Sequence, residues 1–256
     1  IVERAMYQSR AGQLYGAGHG SAAVTEPALT WLLAEGATGD VFDLFLLLAN
    51  PNPTAATARI SYLLDDGRTL TKTVTVEGNS RRTIWVDYDT PDGTTGQPLQ
   101  AVALSTKVEV LNAVPIIVER AMWWPVGPGQ WYEAHNSPGS TVTGTEWGIA
   151  GAEVSGAPDY ASTYVLIANT SAQMADARVT LLLDGVPAVS KDVLGIAANS
   201  RRTLDIAFEF PESAGRTFGV LVESMGATPA QLVVESAVYR NAAGVWWAAG
   251  ANELAT

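Results

Sequence analysis

At 256 residues the chain is long enough for one or two domains with their own hydrophobic cores. Its net charge of −11 argues against nucleic acid and anionic membranes, and the absence of cysteine excludes disulfides and thiolate metal sites. No apolar run approaches the ~20 residues of a membrane-spanning helix, and a start on Ile1 with no leader reads as a processed product or a fragment.

Taken in chain order, residues 1–7 (Ile-Val-Glu-Arg-Ala-Met-Tyr) predict a strand. A glycine-rich stretch follows with His19 and Ser21, then Trp31 opens the run Trp-x-x-Ala-Glu-Gly ending at Gly36. Residues 45–50, 58–64, 69–76 and 82–86 are short, rich in β-branched, leucine and aromatic residues, and bounded by turn signals at 50–53, 65–67 and 77–79. Polar and apolar residues alternate over 72–76, the pattern of a strand with one wet face and one core face. Residues 102–110 and 116–122 complete the first set, and 165–169, 177–183, 188–193, 202–207, 219–224 and 232–238 form a second. No stretch sustains a helical period, which argues against βαβ folds.

These elements repeat. Residues 1–7 return as 117–123 and, eroded, as 233–239, each time at an offset of 116. His19, Ser21 and Trp31 match His135, Ser137 and Trp147 at the same offset; residues 45–50 match 164–169 at 119, and 79–83 match 199–203 at 120. So little drift over so many ordered blocks means tandem duplication of a domain-sized unit. The expected fold is all-β: two tandem antiparallel β-sandwich (Ig-like) domains, residues 1–124 and 125–256, with a junction near 125–134. Three copies of the first strand stand against two copies of every other block. If that strand ends each module, residues 1–8 are a strand of, or donated to, a neighbouring module; if it starts each module, the last copy at 233–239 is the extra one.

The blocks at 119–124, 135–137, 31–36 and 45–52 resemble a tandem module found near the C-termini of secreted bacterial multidomain proteins. Its pattern runs Glu-Arg-Ala-Met-Tyr-Trp, His-Asn-Ser, Trp-x-x-Ala-Glu-Gly and Leu-Leu-Leu-Ala-Asn-Pro-Asn, and residues 241–252 look like its terminal segment. The resemblance implies a secreted or cell-surface protein and supplies no activity. Gly151 stands where the first copy has Glu35, which argues against a role needing that carboxylate in both copies.

Four groups of residues invite chemistry. His19 and His135 each have a serine two residues on, but a nucleophile–base pair also needs an orienting group, and two histidines make a poor zinc site. A hydrogen-bonding role is the expectation, with no catalytic residues and no metal. Asp87, Asp89 and Asp92 crowd the turn 87–93, where calcium would want six to eight oxygens; a solvated acidic turn is expected. Glu3, Glu119 and Glu235 persist in every copy, and Arg81, Arg82, Arg201 and Arg202 in both, so a charge pair between neighbouring strands is expected. Trp124, Trp131, Tyr132, Trp246 and Trp247 cluster after the Val-Glu strands, where they either seal the junction between modules or cover a sheet edge, or offer the surface through which a glycan or protein partner would bind. The leading expectation is a non-catalytic structural, adhesion or assembly module without cofactor, nucleic-acid partner or membrane insertion. The alternative is a carbohydrate-binding module.

Overall fold

The computed structural model describes residues 2–10, 13–39, 41–127, 130–242 and 244–256. The chain is all-β and divides into two compact units, Ile1–Leu64 with Arg68–Val142, and Asp65–Gly67 with Thr143–Thr256. Among the described residues no helix is long and apolar enough to cross a membrane.

The strands of the first unit are β1 (Glu3–Arg10), β2 (Gln13–Ala22), β3 (Thr30–Leu33), β4 (Asp43–Asn50), β5 (Ala56–Leu64), β6 (Thr69–Val76), β7 (Ser80–Trp85), β8 (Leu104–Val110), β9 (Ile117–Gly127) and β10 (Gln130–Pro138). They build two four-stranded antiparallel sheets, ordered β10-β9-β4-β7 and β3-β8-β5-β6, and a separate two-stranded hairpin β1-β2. Period-two alternation turns Leu44, Leu46 and Leu48 of β4 inward, and these meet Trp31, Ile60 and Val108 of the other sheet in one buried cluster. Polar groups in this core are paired. The Trp31 indole donates to the Ile116 carbonyl at 2.8 Å, and the Asn50 amide donates to the carbonyls of Thr54 and Val76 at 2.9 and 3.0 Å.

The second unit contains β11 (Glu146–Val154), β12 (Ala161–Asn169), β13 (Ala175–Leu183), β14 (Val189–Ile196), β15 (Ser200–Asp205), a short helix α1 (Ile206–Glu209), β16 (Arg216–Ser224), β17 (Leu232–Ala242) and β18 (Val245–Leu254). Its sheets, β15-β12-β17-β18 and β11-β16-β13-β14, reproduce the strand order of the first unit. Trp147 donates to the Leu232 carbonyl at 3.1 Å, the counterpart of the Trp31 bond one repeat earlier. The strand expected over 202–207 stops at Asp205, whose carboxylate accepts from the amides of Ala207 and Phe208 and starts α1 instead.

Five strands escape the sequence reading: β3 and β11, each at the edge of its sheet, and β2, β10 and β18. Each of the last three closes a hairpin with the Val-Glu strand before it. Residues 130–138, assigned from sequence to the second module, pair with β9 inside the first unit.

Candidate functional site

The three hairpins share one register. Arg4 faces Ser21 across β1-β2, Arg120 faces Ser137 across β9-β10, and Ser236 faces Glu253 across β17-β18. Two residues along, Met6 faces His19, Met122 faces His135 and Val238 faces Ala251. In β9-β10 this face closes on the body of the first unit and forms a buried polar cluster. Arg120 donates through Nη1 to the Glu35 carbonyl and through Nη2 to Glu35 Oε2, both at 2.7 Å, and to Ser137 Oγ at 2.9 Å. Glu35 leaves β3 into a tight passage: a Cβ on Gly36 would sit 2.7 Å from the Leu104 carbonyl oxygen, so only glycine fits after it. Arg120 thus ties the β9 sheet to the β3 sheet through one carboxylate.

His135 lies against this pair, with Nε2 3.6 Å from Glu35 Oε1 and its ring 5.4 Å from that of Trp124. Its relative exposure is 0%, as is that of Arg120. Desolvation, reinforced by the charges of Arg120 and His19, holds its pKa well below the ordinary histidine value. The Ser137 hydroxyl is engaged by Arg120, and His135 has no exposed surface, so the His–Ser pair is built into packing.

The hairpin β1-β2 lies on the other face of β9-β10. Arg4 Nη1 pairs with Glu119 Oε2 at 2.8 Å, Arg4 Nη2 donates to Ser21 Oγ at 3.0 Å, and His19 Nε2 donates to the Asn136 carbonyl at 2.7 Å. Asn136 Nδ2 donates to Ser21 Oγ at 3.1 Å, and Gln8 Nε2 to the Trp131 carbonyl at 2.6 Å. Three further polar atoms of this seam, Arg4 Nε, Gln8 Oε1 and Asn136 Oδ1, are buried without a hydrogen-bond partner. Partial burial and the positive charges of Arg4 and Arg120 lower the pKa of His19, opposed by its bond to Asn136.

Several expectations change against this geometry. Glu119 pairs with Arg4 and not with Arg81 or Arg82, because β4 lies between β7 and β9; Arg81 and Arg82 bond Thr83 Oγ1 and the Thr75 carbonyl. The acidic turn is not solvated and free. Asp87 accepts from the amides of Gly39 and Leu44 at 3.0 and 2.9 Å, Asp89 accepts from Tyr62 at 2.7 Å and pairs with Lys72, and Asp92 accepts from the Thr73 amide at 2.9 Å. Burial pushes the Asp87 carboxyl up while those amides pull it down. No group of three metal-ligating side chains occurs among the described residues.

The aromatic candidates separate by strand parity. Trp124 is fully buried, edge-on to Phe42 at 6.0 Å, and offers a ligand no surface. Trp131 is exposed in an outer-face cluster with Trp123, Phe45 and Trp85, where Asp43 accepts from the indoles of both Trp85 and Trp131. Tyr132 is partly exposed in a β-bulge of β10. In the second unit Tyr239, Trp247 and Trp246 form a column, with centroids 4.6 and 3.9 Å apart, and Trp246 is exposed at its end. An aromatic pair recurs at equal positions in all three hairpins: Tyr7 with Tyr15, Trp123 with Trp131, and Tyr239 with Trp247. Trp131 and Trp247 therefore belong to the repeat.

The second unit carries no copy of the polar cluster. Glu35, Arg120, His135 and Trp124 are replaced by Gly151, Ser236, Ala251 and Arg240. A cavity of about 720 Å³ opens there, lined by Gly151, Phe218, Val238, Arg240 and Ala251 among others, and Arg240 pairs with Glu153 at 2.6 Å.

No protein-family model and no curated protein matches the chain. Among solved structures it is similar to Thermotoga maritima 1070, at 16% identity over 45% of this chain and 96% of that one, with a TM-score of 0.36. It is also similar to the Anabaena sensory rhodopsin transducer, at 16% identity over 38% of this chain and 99% of that one, with a TM-score of 0.32. Likenesses this distant carry no function to the chain.

Proposed function

We propose that the chain is a pair of Ig-like β-sandwich modules from a secreted or cell-surface protein, with a structural, adhesion or assembly role and no catalysis of its own. The observation that carries this reading is the third hairpin, which matches β9-β10 and β17-β18 in register yet lies outside both four-stranded sheet pairs. A hairpin held outside a sheet pair is a connecting part, since strand edges and their flanking side chains recruit other strands. The residues best suited to chemistry support the same reading: His135, Glu35 and Arg120 are spent on one another in a sealed cluster. The test is a screen of ester, peptide and glycoside substrates with the full chain. No turnover is expected; turnover that disappears in His135→Asn would overturn the proposal.

Glycan binding is a second reading, favoured by one observation. Trp246 ends an aromatic column with a face open to solvent, which suits stacking on the apolar face of a sugar ring. A polysaccharide titration showing saturable binding that is lost in Trp246→Ala would support it; binding unchanged in that variant would remove Trp246 from consideration.

A further inference from the structure

The β1-β2 hairpin differs from its two counterparts in what covers it. Val2 is 71% exposed, whereas the equivalent Val118 and Val234 are each 0% exposed in their cores. Tyr7 is 70% exposed, against 4% for the equivalent Tyr239. The strand edge shows the same contrast. β9 pairs with β10 on one side and β4 on the other, and β17 with β18 and β12, but among the described residues β1 pairs with β2 alone. Its second edge is a row of backbone donors and acceptors without a ladder.

The side chains that accept a body in β9-β10 are present on β1-β2 and already arranged. Arg4 Nη2 donates to Ser21 Oγ at 3.0 Å as Arg120 Nη2 does to Ser137 Oγ at 2.9 Å, and His19 stands opposite Met6 as His135 does opposite Met122. In β9-β10 this face closes on Glu35 of a body. In β1-β2 it rests on Glu119 and the Asn136 carbonyl, across the seam that leaves Arg4 Nε, Gln8 Oε1 and Asn136 Oδ1 unbonded.

We infer that β1-β2 is the receiving half of an intermodule joint, whose occupant is another body of this same repeat. That body lays its β4-type strand along the free edge of β1 and its Glu35-type carboxylate on Arg4, beside His19 and Ser21. The register follows from the two occupied copies. Asp43 and Ser162 stand opposite Trp123 and Tyr239, so the incoming counterpart stands opposite Tyr7. Phe45 and Tyr164 stand opposite Ala121 and Ala237, so the incoming aromatic stands opposite Ala5, beside the Tyr7–Tyr15 pair. A second copy of this chain is a poor occupant, because its own β4 and β12 are paired on both edges.

The proposal rests on the structural reading above and names its partner. The test joins residues 23–116 ahead of Ile1 of the full chain, which restores the repeat spacing, and follows β1 amides by hydrogen exchange. The expected result is slowing of the β1 amides not bonded to β2, by at least about tenfold relative to the unextended chain. A disulfide should also form between Ala5→Cys and a Phe45→Cys of the added body. Arg4→Ala should then release that protection, although in the unextended chain it affects only the seam. Unchanged β1 exchange, or an added body that stays unfolded beside an intact chain, overturns the joint. Either result leaves the non-catalytic reading standing, since the substrate screen decides that independently.

Discussion

The two units share strand order, register and the Trp31/Trp147 bond, yet they fill the space beneath their last hairpins in opposite ways. The first packs it with Glu35, Arg120, His135 and Trp124; the second leaves Gly151, Ala251 and Arg240 around a cavity of about 720 Å³. The fold therefore does not require the charged cluster. A buried ion pair often contributes little net stability beyond what apolar packing would give, while its geometry is demanding. What the cluster adds in the first unit is a tie of defined geometry between the β9-β10 hairpin and Glu35. The β1-β2 hairpin carries the same Arg–His–Ser face.

Removing one partner of the cluster gives the largest expected effect. Glu35→Ala leaves the Arg120 guanidinium buried without its carboxylate, and should lower the stability of the first unit by about 3–5 kcal/mol in urea unfolding. Adding Arg120→Met should recover most of that loss. A small single effect, or no recovery, would mean that the cluster is not a coupled pair.

Trp124→Ala should cost about 3–5 kcal/mol, the range for deleting a buried tryptophan. Its counterpart Arg240→Ala removes a half-exposed ion pair and should cost no more than about 1 kcal/mol. Comparable losses at the two positions would erase the contrast between the units.

Protonation probes the same difference more gently. The pKa of His135 is lowered well below 6.5 in the folded chain, so the unfolded chain binds its proton first as pH falls. Stability from this group is therefore complete above about 6.5 and declines as pH drops below it. Urea midpoints measured from neutral to mildly acidic pH should fall for the first unit, and His135→Asn should flatten the trend. The second unit has no histidine and should lack that component. The smallest effect is expected for Gly151→Ala. Nothing lies within 4 Å of a Cβ built there, and stability should hold within about 0.5 kcal/mol.

Much of this was legible in the residues. The offsets of 116 to 120 expose the duplication, and the β-branched and leucine runs mark β4 through β9 and their copies. The closing strands were hidden because their composition serves close approach more than propensity. Gly18 on β2 is an example: a Cβ there would sit 2.8 Å from the Met6 carbonyl oxygen. Trp123 and Trp124 look alike in sequence, but adjacent strand residues face opposite ways. The parity shared by Val118, Met122 and Trp124 marked the buried one. Glu35 was the hardest to place. It is absent from the second copy, and its partners come from strands about 85 and 100 residues away, a distance only folding closes.

The most direct measurement is a pair of double-mutant cycles on the full chain, one for Arg120 with Glu35 and one for Arg4 with Glu119. The account predicts strong coupling for the first, toward the upper end of about 0.5–3 kcal/mol, because both partners are buried. It predicts less than about 1 kcal/mol for the second, where the Arg4 side chain is 38% exposed. Equal couplings would contradict it, because β1-β2 would then be seated on its proper partner already.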